Sequence, residues 1–115
     1  MKKNKVFIAC DTSNINLVKN IIKQTKTKEL EIIPKFGLQF FYSKKGRNFL
    51  EKINKNFFLD LKINDIKQTA LSAIESLKDL KKCRYITIHA NGGLEMLKAV
   101  KKKATRTNKN LKSCA

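Results

Sequence analysis

The sequence predicts an α/β chain built on a parallel sheet, assembled from four successive strand–helix units. Three observations lead there. Short continuous runs such as Val6–Cys10 and Tyr85–His89 are apolar or β-branched, a texture that suits strands covered on both faces. Apolar stripes at helical spacing lie between such runs. The two patterns alternate along the chain, which requires parallel neighbours joined by right-handed crossovers.

In order, the first strand is expected over Lys5–Asp11, behind a basic N-terminus. Its apolar run is five residues long before Asp11, too short for the core of a secretory signal. Ile15, Val18, Ile21 and Ile22 then mark a helix, with Ser13 or Asn14 available as its cap. A second strand falls at Glu31–Gly37. Phe40, Phe41 and Tyr42, then Phe49, Leu50 and Ile53, mark a helical region interrupted near Gly46. The third strand is Asn56–Lys62, followed by a stripe of Ile66, Ala70, Ala73, Ile74 and Leu77. The fourth is Arg84–Ala90, and Asn91-Gly92-Gly93 opens a last helix carrying Met96, Leu97 and Val100. After Ala104 the chain turns polar, and residues 105–115 read as a tail that stops where a fifth strand should begin.

Composition bounds the rest. With 115 residues and 42% hydrophobic content, one domain with a real core is expected over residues 1–115. No apolar run approaches the roughly 20 residues that span a bilayer, so a cytoplasmic protein without membrane contact is expected. Cys10, Cys83 and Cys114 are odd in number and lack CxxC spacing, which predicts reduced thiols and no metal site. The net charge of +17 invites a nucleic-acid reading. The basic residues, however, are nearly all Lys, scattered along the chain, with Arg only at 47, 84 and 106. No specific nucleic-acid partner is therefore expected, although a positive field would attract a phosphorylated metabolite.

The polar residues fall at informative places. Asp11, Lys35, Asp60 with Lys62, and His89 each sit at or near the end of an expected strand, one strand–helix unit apart. In parallel α/β folds the C-terminal strand ends share one rim, and that rim hosts the active site. Singly, Asp11 suits a turn, Lys35 is one lysine among many, and His89 suits a hydrogen-bonded rim position. Asp65, with Gln68 three residues on, also suits a helix cap and capping box. Asp60 and Lys62 are harder to explain structurally. They follow Phe57-Phe58-Leu59, and at i and i+2 on a strand they face one side. A charge pair leaving a dry interior costs desolvation unless each charge serves the other. A lysine held between Asp60 and Asp65 is kept as an ammonium, a good proton donor to a carbanion. The two carboxylates would also repel a third, such as that of a substrate.

The segment Phe58-Leu59-Asp60-Leu61-Lys62-Ile63-Asn64-Asp65-Ile66 resembles the D-x-K-x-x-D signature of orotidine 5'-phosphate decarboxylases. A wider superfamily shares that signature, including 3-keto-L-gulonate 6-phosphate decarboxylase and hexulose-phosphate synthase. Three further matches narrow it. Ala9-Cys10-Asp11 is similar to the family's A-L-D, and Thr87-Ile88-His89-Ala90 to its T-V-H-A. Lys35-Phe36-Gly37-Leu38 resembles its K-V-G-L, where the sugar-phosphate relatives carry an acid at the lysine position. The likeness covers residues 5 to about 104.

The resemblance implies a (β/α)8 TIM barrel, of which this chain supplies about four units. It implies conversion of orotidine 5'-monophosphate to UMP and carbon dioxide, in de novo pyrimidine biosynthesis, with no metal and no cofactor. Asp60 would sit against the substrate carboxylate, and Lys62 would deliver the proton to C6. Lys35 would hydrogen-bond the ribose and the charged cluster. Asp11 would bind the nucleotide, with His89 on the same rim. Asp65 and Thr69 would reach across a homodimer interface into the partner's site. Where the family has I-P-N-T, this chain has Ile66-Lys67-Gln68-Thr69, so Lys67 replaces a proline suited to the first helical turn. A full barrel needs about 200 residues or more, and no residue here is assignable to the phosphate grip or the closing loop. Two other classes remain: a sugar-phosphate lyase of the same superfamily, and a non-catalytic basic module that binds nucleic acid.

Overall fold

A computed structural model describes residues 3–108 and 110–114. Five strands, β1 (Asn4–Ala9), β2 (Leu30–Gly37), β3 (Phe57–Ile63), β4 (Cys83–Ile88) and β5 (Lys112–Cys114), form one sheet in the order β1-β2-β3-β4-β5. Every neighbouring pair is parallel. Sequential order with parallel neighbours is the winding of a barrel wall, not of a doubly wound sheet. Between the strands run α1 (Ile15–Gln24), α2 (Leu38–Tyr42), α3 (Lys44–Lys52), α4 (Lys67–Glu75) and α5 (Gly93–Thr107).

One core joins sheet and helices. Phe36, Phe57, Leu59, Leu61, Ile86 and Ile88 leave the strands toward the helices. There they meet Val18, Phe40, Leu50, Ile74, Met96 and Val100. Among the described residues no helix covers the opposite face. Phe7 meets Phe58 and Tyr85 there edge to face, and those two rings lie tilted against each other, with centroids 5.3 to 5.6 Å apart; Phe7 is still 47% exposed. This is the face that points inward in a closed barrel.

The local chemistry explains most boundaries. Asn14 caps α1, its side-chain oxygen accepting from the N–H groups of Asn16 and Leu17. The second helical region breaks at Ser43 rather than at Gly46. The Ser43 backbone is extended, and its hydroxyl donates to Phe40 O at 2.7 Å and accepts from Gly46 N. Gly46 lies inside α3 for a different reason: a Cβ there would come within 1.9 Å of Phe40 O. Gly46→Ala is expected to destabilise the chain by about 1–3 kcal/mol, because backbone must move to admit the methyl. Urea denaturation checks this, and an unchanged or higher midpoint would contradict it.

Two expectations need correction. Asp65 and Gln68 do not form a capping box: Ile66 holds the cap position of α4 without a side-chain bond, and Asp65 Oδ1 accepts from Ile66 N–H instead. The helix thus starts one residue later than that motif requires. The polar tail is also partly ordered. α5 continues to Thr107, and Lys112–Cys114 pair with Tyr85–Thr87 as a fifth strand. Leu111 anchors the turn before it, buried in the core. Of the expected tail, Lys109 and Ala115 lie outside the described residues.

Candidate functional site

The strand ends converge as the sequence suggests. Cys10 N–H donates to Lys35 O, one residue beyond β1, which sets Asp11 at the same end as Lys35. His89 N–H donates to Ile63 O, so His89 leaves β4 beside the end of β3. Asp11, Lys35, Asp60, Lys62 and His89 therefore share the C-terminal rim of the sheet.

Within that rim, four side chains form a connected cluster around Asp60. Lys62 Nζ lies 2.8 Å from Asp60 Oδ2, and Lys35 Nζ lies 3.7 Å from the same oxygen. Thr87 Oγ1 donates to Asp60 Oδ1 at 2.8 Å. The Asp60 side chain is 17% exposed, against 34% for Lys35 and 62% for Lys62. The Lys62 hydrogen bond holds the Asp60 carboxyl below its ordinary value; burial opposes this, while Thr87 and Lys35 reinforce it. A depressed carboxylate stabilises the fold above its unfolded-state value, and that contribution disappears as pH falls through the folded-state value. The cluster is thus built for an ionised Asp60 at neutral pH.

The side chains do not lie on a regular strand. The β3–β4 register shifts between Leu59 and Ile63, and Lys62 adopts φ +50°, the one non-glycine residue with positive φ among those described. Simple alternation, which placed Asp60 and Lys62 on one side, does not account for their contact. Thr87 was not singled out from the sequence, because a threonine within Tyr85–His89 reads as ordinary strand propensity.

Other expected residues stand apart. Lys62 is not held between two carboxylates of its own chain: among the described residues its ion-pair partner is Asp60, while Asp65 turns to the Ile66 amide. Asp65 and Thr69 line a groove of about 440 Å³ with Leu38 and Tyr42, which Lys62 joins to the Asp60 cluster. Apolar side chains border it: Leu38 and Tyr42 are 44% and 77% exposed. The side chains of Asp11 and His89 reach the rim without a hydrogen bond or ion pair to another described residue. Cys10 and Cys83 are buried free thiols, and burial pushes Cys83 up to about 12, which keeps it protonated and unreactive. Among the described residues no three His, Cys, Asp or Glu side chains gather as metal ligands. No described helix is long and apolar enough to cross a membrane.

Comparison with known proteins bears on this cluster. The model of the family described as orotidine 5'-phosphate decarboxylase / HUMPS matches residues 4–113. The chain belongs to that family. The orotidine 5'-phosphate decarboxylase of Streptococcus pyogenes serotype M5 is 33% identical over 103 residues, covering 88% of this chain and 44% of the relative. The serotype M3 enzyme is 35% identical over 104 residues, with the same coverage. The crystal structure of orotidine 5'-phosphate decarboxylase from Lactobacillus acidophilus superposes with a TM-score of 0.70 at 26% identity. It is matched over 92% of this chain and 47% of its own. The chain spans about half the length of these relatives, and its fold is one half of a TIM barrel.

Proposed function

We propose that this chain carries the catalytic charges of an orotidine 5'-phosphate decarboxylase, and that the reaction is loss of carbon dioxide from orotidine 5'-monophosphate to give UMP. The observation that carries this reading is the Asp60 carboxylate, held on the C-terminal rim by Lys62 at 2.8 Å and Lys35 at 3.7 Å. Fixed charges of this kind suit a reaction in which a carboxylate departs and a carbanion develops. Asp60 sits against the substrate carboxylate and disfavours it relative to the transition state. As carbon dioxide leaves, the electron pair of the broken C–C bond remains on C6, and the Lys62 ammonium delivers its proton there. Lys35 fixes Asp60 from the other side and offers a donor to the ribose, with Asp11 and His89 placed on the same rim for the nucleotide. No cofactor or metal enters this scheme.

A homodimer belongs to the same reading. Asp65 and Thr69 line a groove bordered by exposed Leu38 and Tyr42, and neither side chain bonds to Asp60 of its own chain. A second subunit seated there would bury that apolar rim and receive both polar groups. The sugar-phosphate alternative is disfavoured by Lys35, which stands where those relatives carry an acid.

The test is which ligand moves the cluster. Amide resonances of Lys35, Asp60 and Lys62 are expected to shift with orotidine 5'-monophosphate, and not with a hexulose 6-phosphate and magnesium. Shifts with the sugar phosphate and metal alone would transfer the site to the second reading. Salt-sensitive binding of nucleic acid, with the cluster unmoved by either metabolite, would support a basic binding module instead.

A further inference from the structure

We infer that Thr87 is a positioning residue for the Asp60–Lys62 pair, its hydroxyl setting both the carboxylate and the lysine backbone. The inference rests on the reading of Asp60 and Lys62 as the reacting pair. A regular strand would align the two side chains unaided. Here the β3–β4 register shifts between Leu59 and Ile63, and Lys62 takes a left-handed backbone conformation that a lysine does not favour. Something outside β3 must hold it.

Thr87, on the facing strand, supplies that hold. Lys62 N–H donates to Thr87 Oγ1 at 2.8 Å. A hydroxyl carries one proton, and Thr87 donates its own to Asp60 Oδ1 at 2.8 Å. The bonds form a directed chain, from the Lys62 amide through the Thr87 hydroxyl to the Asp60 carboxylate. Asp60 Oδ1 is thereby occupied, and Oδ2 is left to the ammonium groups of Lys62 and Lys35. One side chain of β4 thus orients the carboxylate and turns the lysine that pairs with it. The ordinary alternative is a strand threonine kept for its shape, which valine would replace without consequence.

Two measurements on the intact chain separate these, with Thr87→Val and Thr87→Ser beside the wild type. The first is hydrogen exchange at the Lys62 amide. The second is NMR titration of the Asp60 carboxyl. Thr87→Val is expected to speed Lys62 exchange roughly tenfold, as the loss of one hydrogen bond would, and to move the Asp60 midpoint upward. Thr87→Ser is expected to keep both near wild type. An unprotected Lys62 amide in the wild type would overturn the proposal, and so would a folded Thr87→Val chain with both readouts unchanged, or a serine variant that behaves like valine. If the valine variant does not fold, wild-type protection and the serine variant still decide. Neither readout needs turnover. A completed barrel that carries this chain and never decarboxylates would sink the proposed function and leave the placement of Thr87 standing.

Discussion

Incubated alone with orotidine 5'-monophosphate, the 115-residue chain is expected to release carbon dioxide at less than roughly a thousandth of a typical enzyme rate of about ten turnovers per second. The charges proposed for catalysis are present, but charges alone do not make the rate. Holding a substrate in reacting geometry is worth about 7–11 kcal/mol of barrier, and a phosphate grip remote from the reacting bond is a main source of such hold. No residue of this chain is assigned to that grip. The site is also open: Lys62 is 62% exposed, and among the described residues no helix covers the sheet face beneath the cluster. Water near the pair weakens it, since two charges 4 Å apart interact by about 1 kcal/mol in water against about 4 kcal/mol at the effective dielectric of a protein surface. Assay of labelled carbon dioxide release decides the matter. Turnover near the ordinary enzyme rate would show that the half-barrel grips its substrate by means not identified.

Phe36→Ala is expected to cost about 3–5 kcal/mol of stability. Phe36 is fully buried; its ring stacks on Phe40 at 4.7 Å and meets Phe57 and Phe49 at 6.0 and 6.4 Å. It is the point where β2, β3, α2 and α3 meet. Native domains hold only about 5–15 kcal/mol in total, and this chain also leaves Phe7 half exposed on its open face. The variant should therefore be largely unfolded. Phe7→Ala, which removes a ring from that open face, should cost much less. Circular dichroism with urea denaturation compares the two, and a Phe36→Ala midpoint within error of wild type would contradict the packing described.

The parts of the fold that were legible in the sequence depend on local pattern. Val6–Cys10 and Tyr85–His89 declare strands by composition alone, and Asn14 has the chemistry of the cap it becomes. The burial expected on both faces fails, because β1 leaves Val6 and Phe7 38% and 47% exposed, and Tyr85–His89 is fully covered only at alternate residues, Ile86 and Ile88. The convergence of Lys35 and Asp60 followed from strand ends, because parallel topology brings those ends together whatever lies between. The illegible parts depend on contacts across the chain. Ser43 breaks the helix while Gly46 only makes room for Phe40 O, and no local rule separates those two jobs. β5 is three residues, Lys112, Ser113 and Cys114, with no apolar pattern, defined by the free edge of β4. The turn of Lys62 out of regular strand geometry is invisible without Thr87, which lies 25 residues away. Asp65 looked like a cap because its spacing to Gln68 is right, but the helix begins at Lys67.

The central claim is that Asp60, Lys62 and Lys35 are decarboxylase charges awaiting the rest of a barrel. The most direct test is a chimera in which this chain replaces the matched 44% of the Streptococcus pyogenes serotype M5 enzyme. The remaining half of that enzyme then completes the barrel. A folded chimera is expected to convert orotidine 5'-monophosphate to UMP, and Lys62→Ala within it to lose activity by about a hundredfold to ten-thousandfold, the usual worth of a positioned proton donor. A folded chimera with no decarboxylase activity, or one whose activity survives Lys62→Ala, would contradict the account.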